Sequence, residues 1–289
     1  MSLLEVKNLS KSYNNFTLQD VSFSLPKGYV MGYVGQNGAG KTTTINLITG
    51  LSQAAHGMCT IDGICYQDNP RKYKEMIGFI GDESYLPQEC KVSDIRFILK
   101  SMYTSFQLEY FNQMIQKWEL PENQKIVSFS RGMKVKLMFA SALARNTRLL
   151  ILDEATNGLD PVMRAEILEL LQNYIEDGEH SIFFSTHMLN DLEQIADYIA
   201  FIDHGQILLN KPKDDLLESY VLVRGDSLDL TPTMKQKLIG ITSGEFNFEA
   251  LLDSDETMGF DSRFVMEKPT IDQIMIHQIK NGGAAHACN

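Results

Sequence analysis

Residues 35 to 42 read Gly-Gln-Asn-Gly-Ala-Gly-Lys-Thr, a spacing that suits the binding of a polyphosphate. Glycines at positions 35, 38 and 40 let backbone N–H groups turn inward around phosphate oxygens without an obstructing Cβ. Lys41 is placed to reach the β- and γ-phosphates, and the Thr42 hydroxyl is a ligand for Mg²⁺. The predicted nucleotide-binding set is Gly35, Gln36, Asn37, Gly38, Ala39, Gly40, Lys41, Thr42 and Thr43. Because the glycine order is not G-x-G-x-x-G, a dinucleotide site is disfavoured.

A pair of carboxylates, Asp153 and Glu154, follows the apolar run at 149–152. An Asp at the end of such a strand, in a protein with a phosphate loop, is expected to hold Mg²⁺ directly or through water. Since side chains alternate along a strand, Glu154 is expected on the other face, where it could orient and deprotonate an attacking water. An acidic pair at a strand end is more often a solvated terminus, and it is the phosphate loop that favours catalysis here.

The elements that must position these groups are predicted by short apolar runs alternating with helical patterns, which is typical of an α/β protein. Several runs are unbroken, as expected for a parallel sheet covered on both faces. The predicted strands are Leu3–Val6, Val21–Phe23, Tyr29–Val34, Cys59–Ile61, Ile77–Ile80, Leu149–Leu152, Ser181–Ser185 and Tyr198–Ile202. The loop therefore lies between a strand and a helix pattern at 41–49, and a hairpin turn is predicted at His204-Gly205.

The chain divides by composition into several parts. Apolar residues at helical spacing predict a mostly helical subdomain at about 92–146, within a first domain at 1–213 that carries the phosphate loop. Residues 214–281 form a small extension with enough apolar side chains to fold, and 282–289 are expected to be a disordered tail. We predict an α/β fold: a phosphate-loop NTPase core with this helical insertion, an N-terminal antiparallel β part and a small α+β C-terminal extension.

The overall charge and the absence of long apolar runs narrow the function classes. The 289 residues include 37 acidic and 26 basic side chains, a net charge of -11, which disfavours a nucleic-acid partner. Most of the excess lies beyond residue 213, where 13 acidic side chains stand against 6 basic ones. No run approaches the ~18 apolar residues of a membrane span, no signal peptide is visible, and four cysteines without zinc or disulfide spacing favour a reduced, cytosolic setting.

Together with further motifs, the loop and the acidic strand end resemble the ATP-binding subunit of an ABC transporter over about residues 1–215. The matching segments are Tyr13 in Lys-Ser-Tyr, the signature region Ser128–Met133, the D-loop Asn157–Asp160 and the switch-histidine loop Ser185–His187. This resemblance implies ATP and Mg²⁺ as cofactors. It also implies a transmembrane permease and a second ATP-binding subunit as partners, and a cytoplasmic location on the inner face of the cell membrane.

The resemblance further implies a composite active site in a head-to-tail dimer, in which each ATP lies between one phosphate loop and the opposite signature. Tyr13 would stack on adenine, and His187 would contact the γ-phosphate. Ser130 and Gly132, at the start of a helix, would donate to the γ-phosphate across the interface, and Asp160 would help couple the two sites. Taken singly, Tyr13 could fill a strand edge, Asp160 could cap a helix before Pro161, and His187 could be an ordinary loop residue.

Two departures from the family pattern are present. The signature has Arg131 and Met133 where Gly and Gln are usual. Where the Q-loop usually has Gln, the strand 77–80 is followed by Gly-Asp-Glu, so Asp82 aligns best and becomes a candidate Mg²⁺ ligand, with Gln88 as the alternative. These departures, the extension and the segment 266–274 resemble ABC-2-type export ATPases of bacteria.

Other functions remain open at this stage. A soluble ABC-type ATPase acting on ribosomes or DNA is disfavoured by the single phosphate loop, the acidic balance and the short segment 43–130, which leaves no room for a long coiled coil. A nonhydrolytic nucleotide sensor is disfavoured by the presence of Glu154 and His187. A small-molecule phosphate-loop kinase would not need Ser130 and Gly132 followed by an acidic strand and a histidine.

Overall fold

The computed structural model describes residues 2–244 and 247–286, and the chain forms two compact units, Met1–Asn210 and Lys211–Asn289. The strands are β1 (Ser2–Tyr13), β2 (Phe16–Pro26), β3 (Val30–Val34), β4 (His56–Ile61), β5 (Ile64–Cys65), β6 (Ile77–Ile80), β7 (Leu149–Asp153), β8 (Ser181–Ser185), β9 (Tyr198–Asp203), β10 (Gln206–Pro212), β11 (Tyr220–Asp226), β12 (Ile239–Ser243), β13 (Asn247–Asp253) and β14 (Val265–Glu267). The helices are α1 (Lys41–Ile48), α2 (Pro70–Glu75), α3 (Val92–Met102), α4 (Leu108–Lys117), α5 (Arg131–Leu143), α6 (Pro161–Ile175), α7 (Leu189–Ile195), α8 (Lys213–Glu218), α9 (Pro232–Lys237) and α10 (Ile271–His286).

Two sheets build the first unit. The larger has the order β10-β9-β3-β8-β7-β6, and its strands β9, β3, β8, β7 and β6 are parallel to one another. The smaller is antiparallel, with the order β2-β1-β4-β5. Strands β3, β7 and β8 are buried almost throughout, which agrees with their unbroken apolar sequences. The α/β class, the parallel core and the antiparallel N-terminal part predicted from the sequence are confirmed.

Each of the eight predicted strands falls on a strand of the structure, and Tyr29 alone lies outside, one residue before β3. Strands β1 and β2 extend well beyond the predicted Leu3–Val6 and Val21–Phe23, and β5 and β10 to β14 were not predicted. The two-residue turn at His204-Gly205 also forms, with positive φ at both residues (44° and 79°), between β9 and β10, which are neighbours in the sheet.

The main core of the first unit lies between the antiparallel sheet, the parallel sheet and α1. Phe23 of β2 stacks on Phe183 of β8 at 5.5 Å between ring centroids, and Tyr33 of β3 lies 4.9 Å from Phe183. Leu149 and Ile151 of β7 belong to the same buried cluster. This packing fixes the ends of β3 and β7, from which the phosphate loop and the acidic pair extend.

A helical segment separates β6 from β7. It contains α3, α4 and α5, which pack on one another and span residues 92–143. α5 begins after Ser130, whose hydroxyl accepts a hydrogen bond from the backbone N–H of Met133 at 3.2 Å. This N-cap compensates one of the unpaired N–H groups at the start of a helix, so Ser130 fixes the residue at which α5 begins.

The second unit is a small α+β structure, as the sequence predicts. Its sheet has the order β12-β13-β11-β14, with antiparallel neighbours. An apolar cluster that includes Val223, Phe248 and Leu252 of the sheet packs with Phe264. The buried His277 of α10 forms a hydrogen bond through Nδ1 with the carbonyl oxygen of Gly240 (2.7 Å), which ties α10 to β12.

The disordered tail expected at 282–289 stays a prediction. The backbone of α10 continues as far as His286. Residues 287–289 lie outside the described part. Within the described ranges, no helix is both long and apolar enough to cross a bilayer.

Candidate functional site

The phosphate loop runs from the end of β3 to the start of α1, as predicted. Gly35 must be glycine because a Cβ there would lie 2.3 Å from the carbonyl oxygen of Ile202 in β9. Gly40 has φ +115° and immediately precedes α1, a conformation that L side chains rarely adopt. The loop therefore delivers the N-terminal N–H groups of α1, with the helix dipole behind them, to the end of the parallel sheet.

A cavity of about 750 Å³ opens over the loop. Its lining residues are Tyr13, Asn15, Phe16, Gln36, Asn37, Gly38, Gly40, Lys41, Thr42, Thr43, Asp82, Asp153 and Glu154. It therefore brings together residues from four separate parts of the sequence. Of the predicted loop residues, Gly35 and Ala39 do not line it. Ala39 is buried, and its N–H donates to the carbonyl oxygen of Gln36 at 3.1 Å, which closes the loop on itself.

Lys41 is the only basic side chain in the cavity lining, which also has three carboxylates. Its ammonium group donates to the carbonyl oxygens of Gly35 (2.7 Å) and Gln36 (3.3 Å). Burial lowers the pKa of Lys41 below its ordinary value, and the carboxylates of Glu154 and Asp153 partly offset this effect. The lysine is thus held over the loop by the loop's own backbone, where it can attract the terminal phosphates of a nucleotide.

The first pair of candidate metal ligands lies beside Lys41. The Thr42 hydroxyl is 3.5 Å from Oδ2 of Asp153, so an alcohol oxygen at the start of α1 meets a carboxylate at the end of β7. Burial raises the pKa of the Asp153 carboxyl above its ordinary value, because it disfavours the charged form. Hard oxygen donors of this kind suit Mg²⁺, which usually takes its other ligands from water and phosphate.

Glu154 departs from the predicted alternation. β7 ends at Asp153, and Glu154 has a positive φ of 55°, so it does not continue the strand. Both carboxylates line one cavity, and the alternation expected within a strand does not apply to Glu154, because β7 has already ended. A non-glycine residue in this region is uncommon and costs conformational energy that the surrounding structure must compensate.

The switch-loop histidine holds the Glu154 side chain. Nδ1 of His187 lies 2.6 Å from Oε2 of Glu154, and the backbone N–H of His187 donates to the same oxygen at 3.3 Å. The N–H of Glu154 in turn donates to the carbonyl oxygen of Ser185 at 2.9 Å. The loops after β7 and β8 are thereby joined directly at the proposed base.

The aromatic end of the cavity comes from the turn between β1 and β2. Tyr13 is paired with Phe16 across the turn, and both line the cavity together with Asn15. Tyr13 is half exposed, and the Lys11 ammonium lies 5.6 Å from its ring centroid. The sequence prediction missed Asn15 and Phe16, although their position next to Tyr13 at a hairpin turn was an available signal.

Asp82 and Gln88, the alternative Q-loop residues, are separated by the structure. Asp82 lines the cavity, and its carboxylate forms an ion pair with Arg131. Gln88 is exposed and absent from the lining, and its carbonyl oxygen accepts a hydrogen bond from Val127. Asp82 is therefore the residue that could meet a nucleotide or its metal ion.

Ser130, Gly132 and Asp160 lie outside the cavity lining of their own chain. Asp160 caps α6, and its Oδ1 accepts from the N–H groups of Val162 and Met163 at 3.0 Å. Gly132 packs against α6, since a Cβ on it would lie 2.9 Å from the sulfur of Met163. The two signature residues and Asp160 are thus well fixed but do not complete the site around Lys41.

Comparison with known proteins places these features in a family. Residues 18–157 match the family model described as ABC transporter. The lantibiotic transport ATP-binding protein SrtF of Streptococcus pyogenes is 34% identical over 73% of this chain and 92% of its own. A solved structure of the ATP-binding subunit of an ABC transporter has a TM-score of 0.69 at 28% identity, over 74% of this chain and 92% of its own.

A second solved structure is similar in fold alone. It is a dimeric ATP-binding cassette in a post-hydrolysis state with ADP and Pi bound, with a TM-score of 0.65 at 21% identity. The likeness covers 72% of this chain and 98% of that one.

Proposed function

This chain belongs to the ABC transporter family of ATP-binding proteins, and we propose that it is the subunit of an export system that binds and hydrolyses Mg-ATP at a head-to-tail dimer interface. Its relatives are ATPases of transporters, and the chain is an ATPase of that family. The proposal that Mg-ATP is bound and hydrolysed rests on the cavity that is lined by Lys41, the phosphate loop, Asp153 and Glu154.

In this proposal each group of the cavity has one task. The loop N–H groups and Lys41 bind the phosphates, while Thr42 and Asp153 hold Mg²⁺, which supplies charge neutralisation at the phosphates. Glu154 orients the attacking water and takes up its proton, and His187 holds Glu154 in place. Tyr13 provides a ring on which adenine can stack. No covalent intermediate is required, because phosphoryl transfer to water depends mainly on positioning and charge.

The dimer is proposed because one chain leaves the site incomplete. Ser130 and Gly132 stand at the N-terminus of α5, where free N–H groups attract anions, yet they lie outside the cavity of their own chain. A second copy, or a related subunit, placed head to tail would bring this helix end to the γ-phosphate. The likeness in fold to a dimeric ADP-bound cassette supports this arrangement.

Mixing two inactive variants tests the composite site. Lys41→Ala removes the phosphate-loop cation, and Gly132→Asp places a bulky negative charge on the signature. Each variant alone is expected to be nearly inactive. In a mixed dimer one site combines an intact phosphate loop with an intact signature, so the mixture should regain up to about a quarter of wild-type turnover if chains pair at random. The measurement is phosphate release against mixing ratio.

The matched control mixes Lys41→Ala with Glu154→Gln, which both damage the phosphate-loop side. No mixed dimer in that pair contains an intact site, so turnover should stay at the background of the single variants. Equal recovery in both mixtures, or none in the first, would contradict a site shared between chains.

A permease partner and a peripheral location on the inner face of the membrane belong to the same proposal. Relatives named for lantibiotic transport and bacitracin transport support export. Affinity purification of the full chain from detergent-solubilised membranes should retain a multi-span protein that alters the ATPase rate. Recovery of the chain with ribosomes or nucleic acid, and with no membrane protein, would instead favour a soluble ABC-type ATPase. A chain that binds ATP without turnover would favour a nucleotide sensor.

A further inference from the structure

The two departures from the family pattern meet each other in the structure. Asp82 follows β6, and Arg131 is the first residue of α5, 49 positions further along the chain. One guanidinium nitrogen of Arg131 donates to Oδ1 of Asp82, and the two side chains form an ion pair. Neither residue is the type usual at its position, so the acid and the base that replace Gln and Gly form a direct pair.

Arg131 also contacts a third motif. A Cβ built on Gly158, in the loop after β7, would lie 3.2 Å from Cζ of Arg131. The guanidinium therefore packs on the backbone of the D-loop while it pairs with Asp82. One side chain joins the loop after β6, the start of α5 and the loop after β7.

The charges that line the cavity make the ion pair between Arg131 and Asp82 relevant to nucleotide binding. Asp82, Asp153 and Glu154 place three carboxylates around a single ammonium group, that of Lys41. In the proposed function Thr42 and Asp153 hold Mg²⁺, so Asp82 is not needed as a metal ligand. Mg-ATP is itself an anion, and an additional uncompensated carboxylate in the lining opposes its binding. Arg131 lies outside the lining, but its ion pair with Asp82 offsets the charge of this carboxylate.

We infer that Arg131 is a positioning residue for the nucleotide site of its own chain: it compensates Asp82 while it packs on the D-loop, so that an acid can occupy the Q-loop position without repelling Mg-ATP. This inference rests on the proposed placement of Mg-ATP in the cavity. It differs from the shared-site role of Ser130 and Gly132 because the ion pair acts within one chain and is already formed in the single subunit.

A general contribution to stability does not account for the pair. The side chains of Arg131 and Asp82 are 49% and 44% exposed, and ion pairs between groups this exposed add little to folding. Removing Arg131 should therefore leave the melting temperature almost unchanged and act on nucleotide affinity instead.

The test is a double-mutant cycle on the full chain, with the dissociation constant of Mg-ATP measured at a protein concentration where the chain is monomeric. Arg131→Gln should weaken binding by about three- to tenfold, because Asp82 then faces the phosphates uncompensated. Asp82→Asn together with Arg131→Gln should return the affinity to within about twofold of wild type. Arg131→Lys should retain most of the affinity, and the loss in Arg131→Gln should shrink as salt is raised.

Lys125→Met is the matched control, since it also removes one exposed cation and an ion pair, with Glu89, from the segment between β6 and β7. It should leave the affinity unchanged. Additive effects in the cycle, or a loss in Arg131→Gln that appears only in dimer turnover, would overturn the inference. Lys41→Ala distinguishes a failure of the proposed function from a failure of this inference. If Lys41→Ala retains its affinity for Mg-ATP, the placement of Mg-ATP in the cavity is rejected. If Lys41→Ala loses affinity but the Asp82 and Arg131 effects are additive, only the role of Arg131 is rejected.

Discussion

Glutamine at position 154 is expected to leave ATP binding intact while reducing turnover by about 10²- to 10⁴-fold, the range for loss of a general base. The amide keeps the shape of Glu154 but cannot take a proton from water. Nδ1 of His187 lies 2.6 Å from Oε2 of Glu154, so the neutral side chain can still be held by the switch loop. Because hydrolysis is what reopens the proposed dimer, Glu154→Gln should accumulate as a dimer with ATP.

Phosphate release and size-exclusion chromatography with light scattering, each with and without Mg-ATP, are the measurements. Glu179→Gln is the matched control. This exposed acid precedes β8, whereas Glu154 follows β7, so the two lie at opposite ends of the parallel sheet. Glu179 forms an ion pair with Arg148. The control should hydrolyse ATP normally. Wild-type turnover in Glu154→Gln would reject its role as base, and a monomer that stays monomeric with ATP would count against the dimer.

Lys41→Ala should lose most of its affinity for Mg-ATP. Lys41 is 7% exposed and is the only cation lining a cavity that holds three carboxylates. A hydrogen bond from a charged group contributes about 1.5–3 kcal/mol, which corresponds to a rise of about 10- to 150-fold in the dissociation constant. Isothermal titration calorimetry with a non-hydrolysable ATP analogue measures this change directly.

Lys117→Ala removes an exposed lysine from α4 and serves as the control for bulk charge. Its affinity should equal that of the wild type. Since the Lys41 ammonium also donates to the carbonyl oxygens of Gly35 and Gln36, its loss could disturb the loop itself. Lys41→Arg retains the charge, so an affinity nearer to the wild type in that variant would attribute the effect to charge. Near-native binding by Lys41→Ala would refute the role of Lys41.

The elements that position the site follow from local sequence patterns. Buried parallel strands such as β3, β7 and β8 are continuous apolar runs, so their positions are predictable within a residue or two. The phosphate loop is equally local, since its eight residues are consecutive. The course of α10 to His286 was not predicted, because small residues carry little periodic signal.

Contacts between distant segments were not predictable in the same way. The alternation of side chains along a strand predicted Glu154 on the face opposite Asp153. This rule holds only within a strand, and Glu154 lies beyond the end of β7. Phe16 lines the cavity because the register of the β1–β2 hairpin pairs it with Tyr13. Asp82 was distinguished from Gln88 by its position in the cavity lining, which depends on the packing of α5 beside β6.

The sequence by itself determined which groups are present and what chemistry they can perform: a phosphate loop, an acidic strand end, a signature helix and a histidine loop, each encoded by consecutive residues. The tertiary structure decided which of them act on one another. It paired Glu154 with His187, 33 positions away, and Asp82 with Arg131, 49 positions away. The reason is physical. Consecutive residues fix local conformation, but the order and packing of strands and helices set the distances between charges from different parts of the chain.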